Sequence, residues 1–315
     1  MFALQFSQYG SPDVLTVADA EEPHAGPGEI RITVRAAGVT PSDWKLRSGV
    51  LHRLLPLDLP HIPGVDAAGV VDEIGDGVTG VAVGDAVFGL VDVAGHGGAA
   101  AEFAVLTVWA AKPDALSWEQ AGGAAADVET ATRVLNALGV TAGTTLLIEG
   151  AAGGTGTVTT QLAIARGATV IGTAGQHNHE FLAGLGATPT TYGPGLVERV
   201  TALAPDGVDA VLDTAGSGSL PDLVTIAGDA NRVVSIADPN AHEHGVRLSL
   251  GPGNSEHELG YAGLAVAAAL ATEGRFTVPL HAVLPLKDGA KAHELSATGH
   301  ARGKIVLSVR KMETL

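Results

Sequence analysis

The sequence predicts a two-domain α/β protein in which a doubly wound parallel sheet accompanies an antiparallel, barrel-like β domain. The observations behind this prediction are a length of 315 residues, short strand patterns in the first third, and alternating strand and helix patterns beyond about residue 118. Because domains commonly span about 100–200 residues, the length favours two domains. The strand–helix alternation is typical of a parallel sheet covered by helices on both faces.

The first third of the chain carries β patterns separated by turns. Residues 30–34 alternate apolar and polar side chains, and residues 69–74 and 85–90 are similarly rich in apolar and β-branched types. Glycine and proline clusters at 26–28 and 75–77 interrupt these runs. Short strands joined by such turns predict an antiparallel barrel-like domain.

Beyond residue 118 the pattern changes. Ser117 with Gln120 three residues later is a helix-capping pattern, and an Ala-rich segment follows it to Leu138. Strands are predicted at 145–148, 169–173, 208–212 and 232–236, and helices at 155–165 and 180–185. The tail pattern predicts a helical run after about 247, a segment at 278–284, a further helix and a strand at 304–307. The tail as a whole is expected to return partly to the first domain.

Composition excludes several classes of function. The formal net charge of -16 repels phosphate backbones and anionic membranes, so no nucleic-acid or membrane partner is expected. The absence of cysteine excludes disulfides, thiolate nucleophiles and Cys-based zinc sites. No signal-peptide pattern is visible at the start, and the apolar stretch 259–271 is too short to span a bilayer. A cytoplasmic location is expected.

The strongest local motif is a glycine-rich turn, Gly150 to Gly156 (GAAGGTG). It follows a predicted strand and opens a predicted helix, which is the context that a dinucleotide-binding G-x-G-x-x-G motif requires, here with Ala151 in the first position. Gly153 permits close approach of a pyrophosphate, and Gly156 permits close packing of helix and strand. The alternative interpretation is an ordinary tight turn between strand and helix.

The end of the second parallel strand favours NADPH over NADH. NAD-selective folds usually place an acidic residue about 20 residues after the turn, whereas this chain has no carboxylate from Thr173 until Glu180. Gln176, His177 and Asn178 offer hydrogen-bond donors for a 2′-phosphate, although His177 is equally interpreted as a solvated loop residue. Tyr192 either lends its hydroxyl or packs half-buried.

With these residues in place, the chain resembles the quinone oxidoreductase branch of the medium-chain dehydrogenase/reductase superfamily. The matching segments, in order, are 38–45 (GVTPSDWK), 62–71 (IPGVDAAGVV), 81–89 (VAVGDAVFG), the turn 150–156, and 300–307 (HARGKIVL). The resemblance implies a Rossmann-type doubly wound parallel sheet over 119–249. It also implies a GroES-like, partly open β-barrel domain over 1–118 plus 250–315, and a homodimer.

The resemblance also implies hydride transfer without zinc. Thr40 stands where zinc-dependent relatives carry a catalytic Cys, and Gly64-Val65-Asp66 stands where they carry Gly-His-Glu. Zinc requires three or four converging N, S or O ligands, and Thr40 and Val65 do not supply them. The expected cofactor is NADPH, with NADH the weaker alternative, and the expected substrate is a small electrophile such as a quinone or an α,β-unsaturated carbonyl.

The candidate site residues follow from the motif, from the carboxyl ends of the strands and from the resemblance. Candidate catalytic residues are Thr40, Trp44 and Lys45. Candidate cofactor-binding residues are Thr130, Ala152, Gly153, Gly154, Thr155, Gly156, Thr173, Ala174, Gly175, His177, Tyr192, Thr214, Ala215, Ser235, Ile236 and Lys304. Both lysines have structural alternatives: Lys45 pairs with Asp43 or Asp66, and Lys304 lies on the surface at a strand start.

Other interpretations remain open at this point. An enoyl-thioester reductase would share the fold, and a non-catalytic NADPH-binding sensor would keep the glycine turn without turnover. Zinc-dependent alcohol oxidation is disfavoured by the ligand positions, and His242 and His244 are interpreted as solvated rather than metal-binding. Asp127 and Glu129 are unusually acidic for their segment, and they either shape substrate choice or face solvent.

Overall fold

The computed structural model describes residues 1–251 and 260–309. The strands are β1 (Phe2–Gln5), β2 (Thr16–Asp19), β3 (Ile30–Val39), β4 (Asp66–Ile74), β5 (Ala86–Val91), β6 (Phe103–Ala111), β7 (Thr145–Glu149), β8 (Thr169–Thr173), β9 (Thr188–Thr190), β10 (Ala210–Asp213), β11 (Val233–Ser235), β12 (Arg247–Leu248), β13 (Leu280–Pro285) and β14 (Lys304–Ser308). The α-helices are α1 (Pro41–Arg47), α2 (Trp118–Gly122), α3 (Ala125–Ala137), α4 (Gly154–Ala165), α5 (His179–Gly184), α6 (Leu196–Leu203), α7 (Leu220–Ala227), α8 (Gly263–Thr272) and α9 (Gly289–Ala297).

The chain divides into two compact units. The first, called the barrel unit, comprises Met1–Ala126 and Leu264–Leu315, and the second, called the nucleotide unit, comprises Asp127–Gly263. Within the described residues, no helix is both long enough and apolar enough to cross a membrane. The domain assignment of 1–118 plus 250–315 and 119–249 stays a prediction.

The barrel unit contains an antiparallel sheet that closes on itself. Its strand order is β13-β14-β3-β4-β5-β6, and β3 additionally pairs with β6. The closure is antiparallel throughout, while β13 and β14 add a parallel edge. Alternating residues of β3, among them Ile30, Ile32 and Val34, turn inward to a buried core. The predicted antiparallel barrel-like domain is therefore confirmed, and its period-two pattern buries one face of β3 as expected.

The predicted cap at Ser117 forms as the sequence indicates. Gln120 donates its backbone N–H to Ser117 Oγ at 3.2 Å, and Ser117 N–H donates to Gln120 Oε1 at 3.0 Å. These reciprocal bonds satisfy two amides that would otherwise lack partners at the start of α2. The cap and the Ala-rich segment that follows it form two helices, α2 and α3.

The nucleotide unit contains an entirely parallel sheet in the order β9-β8-β7-β10-β11-β12. The chain order reverses between β7 and β10, which makes their carboxyl ends the place where ligands bind in open α/β sheets. The central residues of β7, 146–148, are fully buried, as expected of a strand covered on both faces. The predicted doubly wound Rossmann-type sheet is therefore confirmed.

The differences from the predicted elements lie at edges and in the tail. β9 has three residues including Pro189, and β12 has two, so neither is long enough to show a periodic pattern. The predicted helical run after residue 247 is not a single helix, since β12 follows at once and α8 begins at Gly263. Residues 252–259 of that run lie outside the described part of the chain.

Candidate dinucleotide site

The glycine turn joins β7 to α4 by a backbone path that side chains would block. Gly150 has a positive φ of 76°, a conformation that residues with a Cβ rarely adopt. A Cβ on Gly156 would lie 2.7 Å from Ala151 Cα and closer still to the Gly150 carbonyl oxygen. These are backbone atoms, so the close packing of α4 on β7 requires glycine at position 156.

The first turn of α4 leaves backbone donors available for an anion. The first intrahelical bond runs from Thr157 N–H to the Gly153 carbonyl, so the amides of Gly154, Thr155 and Gly156 precede the helical hydrogen-bond ladder. Gly153, Gly154 and Thr155 are only half-buried. Backbone amides outside the helical hydrogen-bond ladder, at the positive end of a helix dipole, form a ready site for a pyrophosphate, so the cradle fits the cofactor that the motif predicts.

The end of β8 lies beside this turn. Gly150 N–H donates to Thr173 Oγ1 at 3.2 Å, and Ala151 N–H donates to the Thr173 carbonyl at 3.0 Å. After Thr173 the chain passes through Ala174 and Gly175 into an exposed turn that carries His177. No carboxylate follows until Glu180, as the sequence shows.

His177 and Tyr192, which are predicted to meet the adenosine end of the cofactor, lie just after the carboxyl ends of β8 and β9. A Cβ on Gly175 would meet the His177 ring at 2.8 Å, so the imidazole lies directly over this glycine. Tyr192 is 59% exposed, which rules out the half-buried packing alternative for its ring.

The loops after β10 and β11 complete the carboxyl edge of the sheet. Asp213, the last residue of β10, accepts the backbone N–H of Ala215 at 2.8 Å and of Gly216 at 2.9 Å. It also accepts the Ser235 hydroxyl at 2.7 Å. Thr214 donates to the Glu149 carbonyl at 2.6 Å. The predicted residues Thr214, Ala215, Ser235 and Ile236 therefore stand at the ends of these strands, and the buried Asp213 carboxylate bonds Ala215 and Ser235 directly.

A second buried carboxylate, Glu149, was missed by sequence reasoning. Glu149 ends β7 and is paired in register with Asp213 of β10, and its oxygens accept the hydroxyls of Ser217 and Ser219. Burial, followed by the nearby negative charges of Asp213 and Asp222, raises the pKa of Glu149, although the serine hydrogen bonds oppose this. An acid placed between a buried strand and Gly150 is the signal that would have revealed it.

The two unusual acids on α3 are both buried. Asp127 and Glu129 are each 6% exposed, so the alternative that they face solvent is wrong. Thr155 Oγ1 donates to Asp127 Oδ1 at 2.7 Å. Arg133 Nε donates to Glu129 Oε1 at 2.8 Å, and the hydroxyl of the predicted residue Thr130 contacts Glu129 Oε2 at 3.3 Å.

The candidate catalytic residues belong to the barrel unit. Thr40 is the N-cap of α1, and Trp44 and Lys45 lie within this helix. Thr40 caps α1, and both its backbone N–H and its hydroxyl donate to Asp43 Oδ2, at 2.6 and 2.8 Å. Gly64 N–H donates to Asp43 Oδ1 at 3.0 Å. Burial raises the pKa of Asp43, against the opposing effect of these hydrogen bonds and of the Lys304 charge.

The two candidate lysines have different surroundings. Lys45 Nζ lies 5.8 Å from the centre of the Trp44 ring, a cation–π distance. Lys304 is 4% exposed and its Nζ lies 3.8 Å from Asp66 Oδ2, so the surface alternative for Lys304 is wrong. The structure thus gives Asp66 the charge partner Lys304, which the sequence interpretation had offered to Lys45.

Zinc does not fit the positions where relatives of this fold bind it. The Thr40 hydroxyl is donated to Asp43, and Val65 has no donor atom. Asp66 Oδ2 accepts the Ala126 N–H at 3.1 Å and faces the Lys304 cation, which would repel a metal ion. Within residues 1–251 and 260–309, no group of three or more His, Asp or Glu side chains is arranged to hold a metal.

The predicted residues thus separate into two sets. The glycine turn and the ends of β8, β9, β10 and β11 bring their set to one edge of the parallel sheet, and Thr130 stands on α3 of the same unit. Thr40, Trp44, Lys45 and Lys304 belong to the barrel unit.

Comparison with known proteins agrees with this architecture. Residues 26–114 match the family described as "Alcohol dehydrogenase GroES-like domain", and residues 185–307 match the one described as "Zinc-binding dehydrogenase". A "Quinone-oxidoreductase homolog, chloroplastic" from Spinacia oleracea is 30% identical over 98% of each chain.

Solved structures extend this similarity. The quinone oxidoreductase from Coxiella burnetii is 33% identical, with a TM-score of 0.80 over 98% of this chain and 99% of that one. A mycobacterial protein complexed with NADPH is 28% identical, with a TM-score of 0.77 over 98% and 100% of the two chains. The chain therefore belongs to the quinone oxidoreductase branch of the medium-chain dehydrogenase/reductase superfamily.

Proposed function

We propose that this oxidoreductase uses NADPH to reduce a quinone or an α,β-unsaturated carbonyl without zinc. The observation that carries the proposal is the half-buried first turn of α4, whose amides precede the helical hydrogen bonds and which the glycine turn places where the parallel sheet reverses its strand order. The absence of a carboxylate between Thr173 and Glu180 favours a 2′-phosphate. Further support comes from the mycobacterial neighbour, which is a complex with NADPH.

The residues of the nucleotide unit would hold the cofactor by its polar groups. The amides of Gly154, Thr155 and Gly156 would hold the pyrophosphate, and Gly175 with His177 would lie at the 2′-phosphate end. When bound, NADPH supplies a hydride to an electron-poor carbon. The protein's share is to bind and orient the reactants.

Reduction of a quinone or enone leaves an oxygen that needs a hydrogen-bond donor or a proton. Thr40 has committed its hydroxyl hydrogen to Asp43, so it must rotate before it donates elsewhere. The indole N–H of Trp44 is buried and has no hydrogen-bond partner among the described residues. Lys45 carries a cation beside that ring. Trp44 and Lys45 are therefore the readier donors of the three candidate catalytic residues.

The test is NADPH oxidation by purified protein across a panel of small quinones and enones, with NADH as the comparison. We expect turnover with at least one acceptor and a kcat/KM at least about tenfold higher for NADPH, which is about 1.4 kcal/mol of discrimination. Activity should persist after chelation of metal ions. The Trp44→Phe variant removes the free N–H while it keeps an aromatic ring at this position, and it should lower kcat.

The outcomes separate this proposal from its rivals. Tight NADPH binding without turnover on any acceptor would indicate a sensor, and selective turnover of a CoA or carrier thioester would indicate an enoyl reductase. Stoichiometric zinc that is needed for activity would indicate the zinc-dependent class.

We also propose that the protein is a homodimer located in the cytoplasm. Sedimentation analysis and cell fractionation test these two points. A monomer across the micromolar range, or recovery with membranes or an organelle, would contradict them.

A further inference from the structure

A buried carboxylate lies beside the turn that would hold the cofactor pyrophosphate. Asp127, at the start of α3, accepts the hydroxyl of Thr155 at 2.7 Å and is 6% exposed. We propose that Asp127 sets the strength of dinucleotide binding by placing a negative charge next to the amides that attract the pyrophosphate. This inference rests on the proposed NADPH function and adds a residue that controls its affinity.

The position of Thr155 makes the carboxylate a competitor of the phosphates. Thr155 follows the cap Gly153 by two residues, so its side chain projects from the first turn of α4. That turn carries the positive end of the helix dipole, which stabilises nearby anions. The Asp127 carboxylate already interacts with this positive end. A bound pyrophosphate would therefore gain less from the helix dipole, and the negative charge of Asp127 would repel it.

The hydrogen bond has a second effect on the cradle. The Thr155 hydroxyl has one hydrogen, which it donates to Asp127. The hydroxyl therefore does not donate to a phosphate while this bond is kept. The pyrophosphate would be held by backbone amides, without help from the one hydroxyl in the motif.

Burial distinguishes Asp127 from the exposed acids of this acidic chain. An exposed charge is screened by water and salt, while a buried charge near a ligand is screened much less. Asp206, in a loop of the same unit, is exposed and provides a matched control. The contact with Thr155 does not itself need the charge, because the amide oxygen of asparagine would accept the same hydrogen.

The experiment measures NADPH dissociation constants by fluorescence for the wild type, Asp127→Asn and Asp206→Asn, at low and high NaCl. We expect Asp127→Asn to bind NADPH about tenfold more tightly and Asp206→Asn to bind within twofold of the wild type. The ratio of the wild-type NADPH dissociation constant to that of Asp127→Asn should fall toward one as the NaCl concentration rises. Adenosine 2′-monophosphate, which has no pyrophosphate, should bind the wild type and Asp127→Asn equally.

The possible results are distinct. If NADPH binds the wild type and Asp127→Asn equally, or if Asp127→Asn tightens NADPH and adenosine 2′-monophosphate alike, the inference is overturned while the proposed function stands. If NADPH binds none of the proteins, both are overturned. Asp127→Ser removes the same charge and keeps a hydrogen-bond acceptor, so it decides the matter if the asparagine variant does not fold.

Discussion

The middle and last glycines of the turn motif, Gly153 and Gly156, should fail in different ways when they are replaced by alanine. In Gly156→Ala the new Cβ would lie 2.7 Å from Ala151 Cα. Real Cβ atoms essentially never approach another heavy atom this closely, because contacts shorter than 3.0 Å are not tolerated. Because the obstacle is backbone, α4 and β7 must separate. In Gly153→Ala the new Cβ would lie 3.4 Å from the Gly150 carbonyl oxygen, an ordinary contact, at an ordinary φ of -74°.

The expected magnitudes follow from this difference. Overpacking of this kind costs about 1–3 kcal/mol or more, which outweighs the gain of up to about 1 kcal/mol from alanine in a helix. Gly156→Ala should therefore lower the stability of the nucleotide unit and the NADPH affinity together. Gly153→Ala should cost roughly 1 kcal/mol or less, as the loss of a glycine cap, but its methyl group occupies the surface that the pyrophosphate would approach.

The assay is urea denaturation together with NADPH titration for both variants. Gly184→Ala is the matched control, since it lies exposed in α5 with open space around its Cβ and should be neutral or slightly stabilising. We expect Gly153→Ala to weaken NADPH binding by at least about tenfold with a nearly normal denaturation midpoint. Undiminished NADPH affinity in Gly153→Ala would refute the placement of the pyrophosphate at this turn, and wild-type stability in Gly156→Ala would refute the packing argument.

Two further predictions concern buried titratable side chains. Burial lowers the pKa of His293 to about 3 and of His61 to about 4, so both rings are neutral in the folded protein. Above the unfolded-state pKa of about 6.5 these rings do not reduce the free energy of unfolding. As pH falls from about 6.5 toward the folded-state pKa values, the unfolded chain binds protons that the folded protein does not, and the free energy of unfolding falls by at most about 1.4 kcal/mol per pH unit for each ring. Urea midpoints at pH 7 and pH 5 should differ less in His293→Leu than in the wild type, and equal differences would contradict this. Arg133→Met leaves Glu129 buried without its 2.8 Å ion-pair partner and should cost about 3–5 kcal/mol in urea denaturation, while adding Glu129→Gln should recover part of that. If Arg133→Met lowers the free energy of unfolding by less than about 1 kcal/mol, the Arg133–Glu129 ion pair contributes little to stability.

The sequence predicted the features that depend on neighbouring residues. The glycine turn between strand and helix, the cap at Ser117 and the inward-facing alternation of β3 are all local patterns, and the structure confirms each of them. The edge strands β9 and β12 escaped prediction because two or three residues are too few to establish a period. The zinc argument also came from sequence alone, since it needs only residue types at matched positions.

The partners and burial of charged side chains were decided by the tertiary structure. Asp127 and Thr155 are 28 residues apart in the chain, and Glu149 meets Asp213 only because β7 pairs with β10. The sequence left two interpretations of Lys304, a cofactor-binding residue or a surface residue. The structure buries it beside Asp66 of a distant strand. The physical reason is that the environment of a charge depends on which remote segments pack around it. The sequence by itself determined the glycine turn between a parallel strand and a helix, and the fold decided that a buried carboxylate lies beside it.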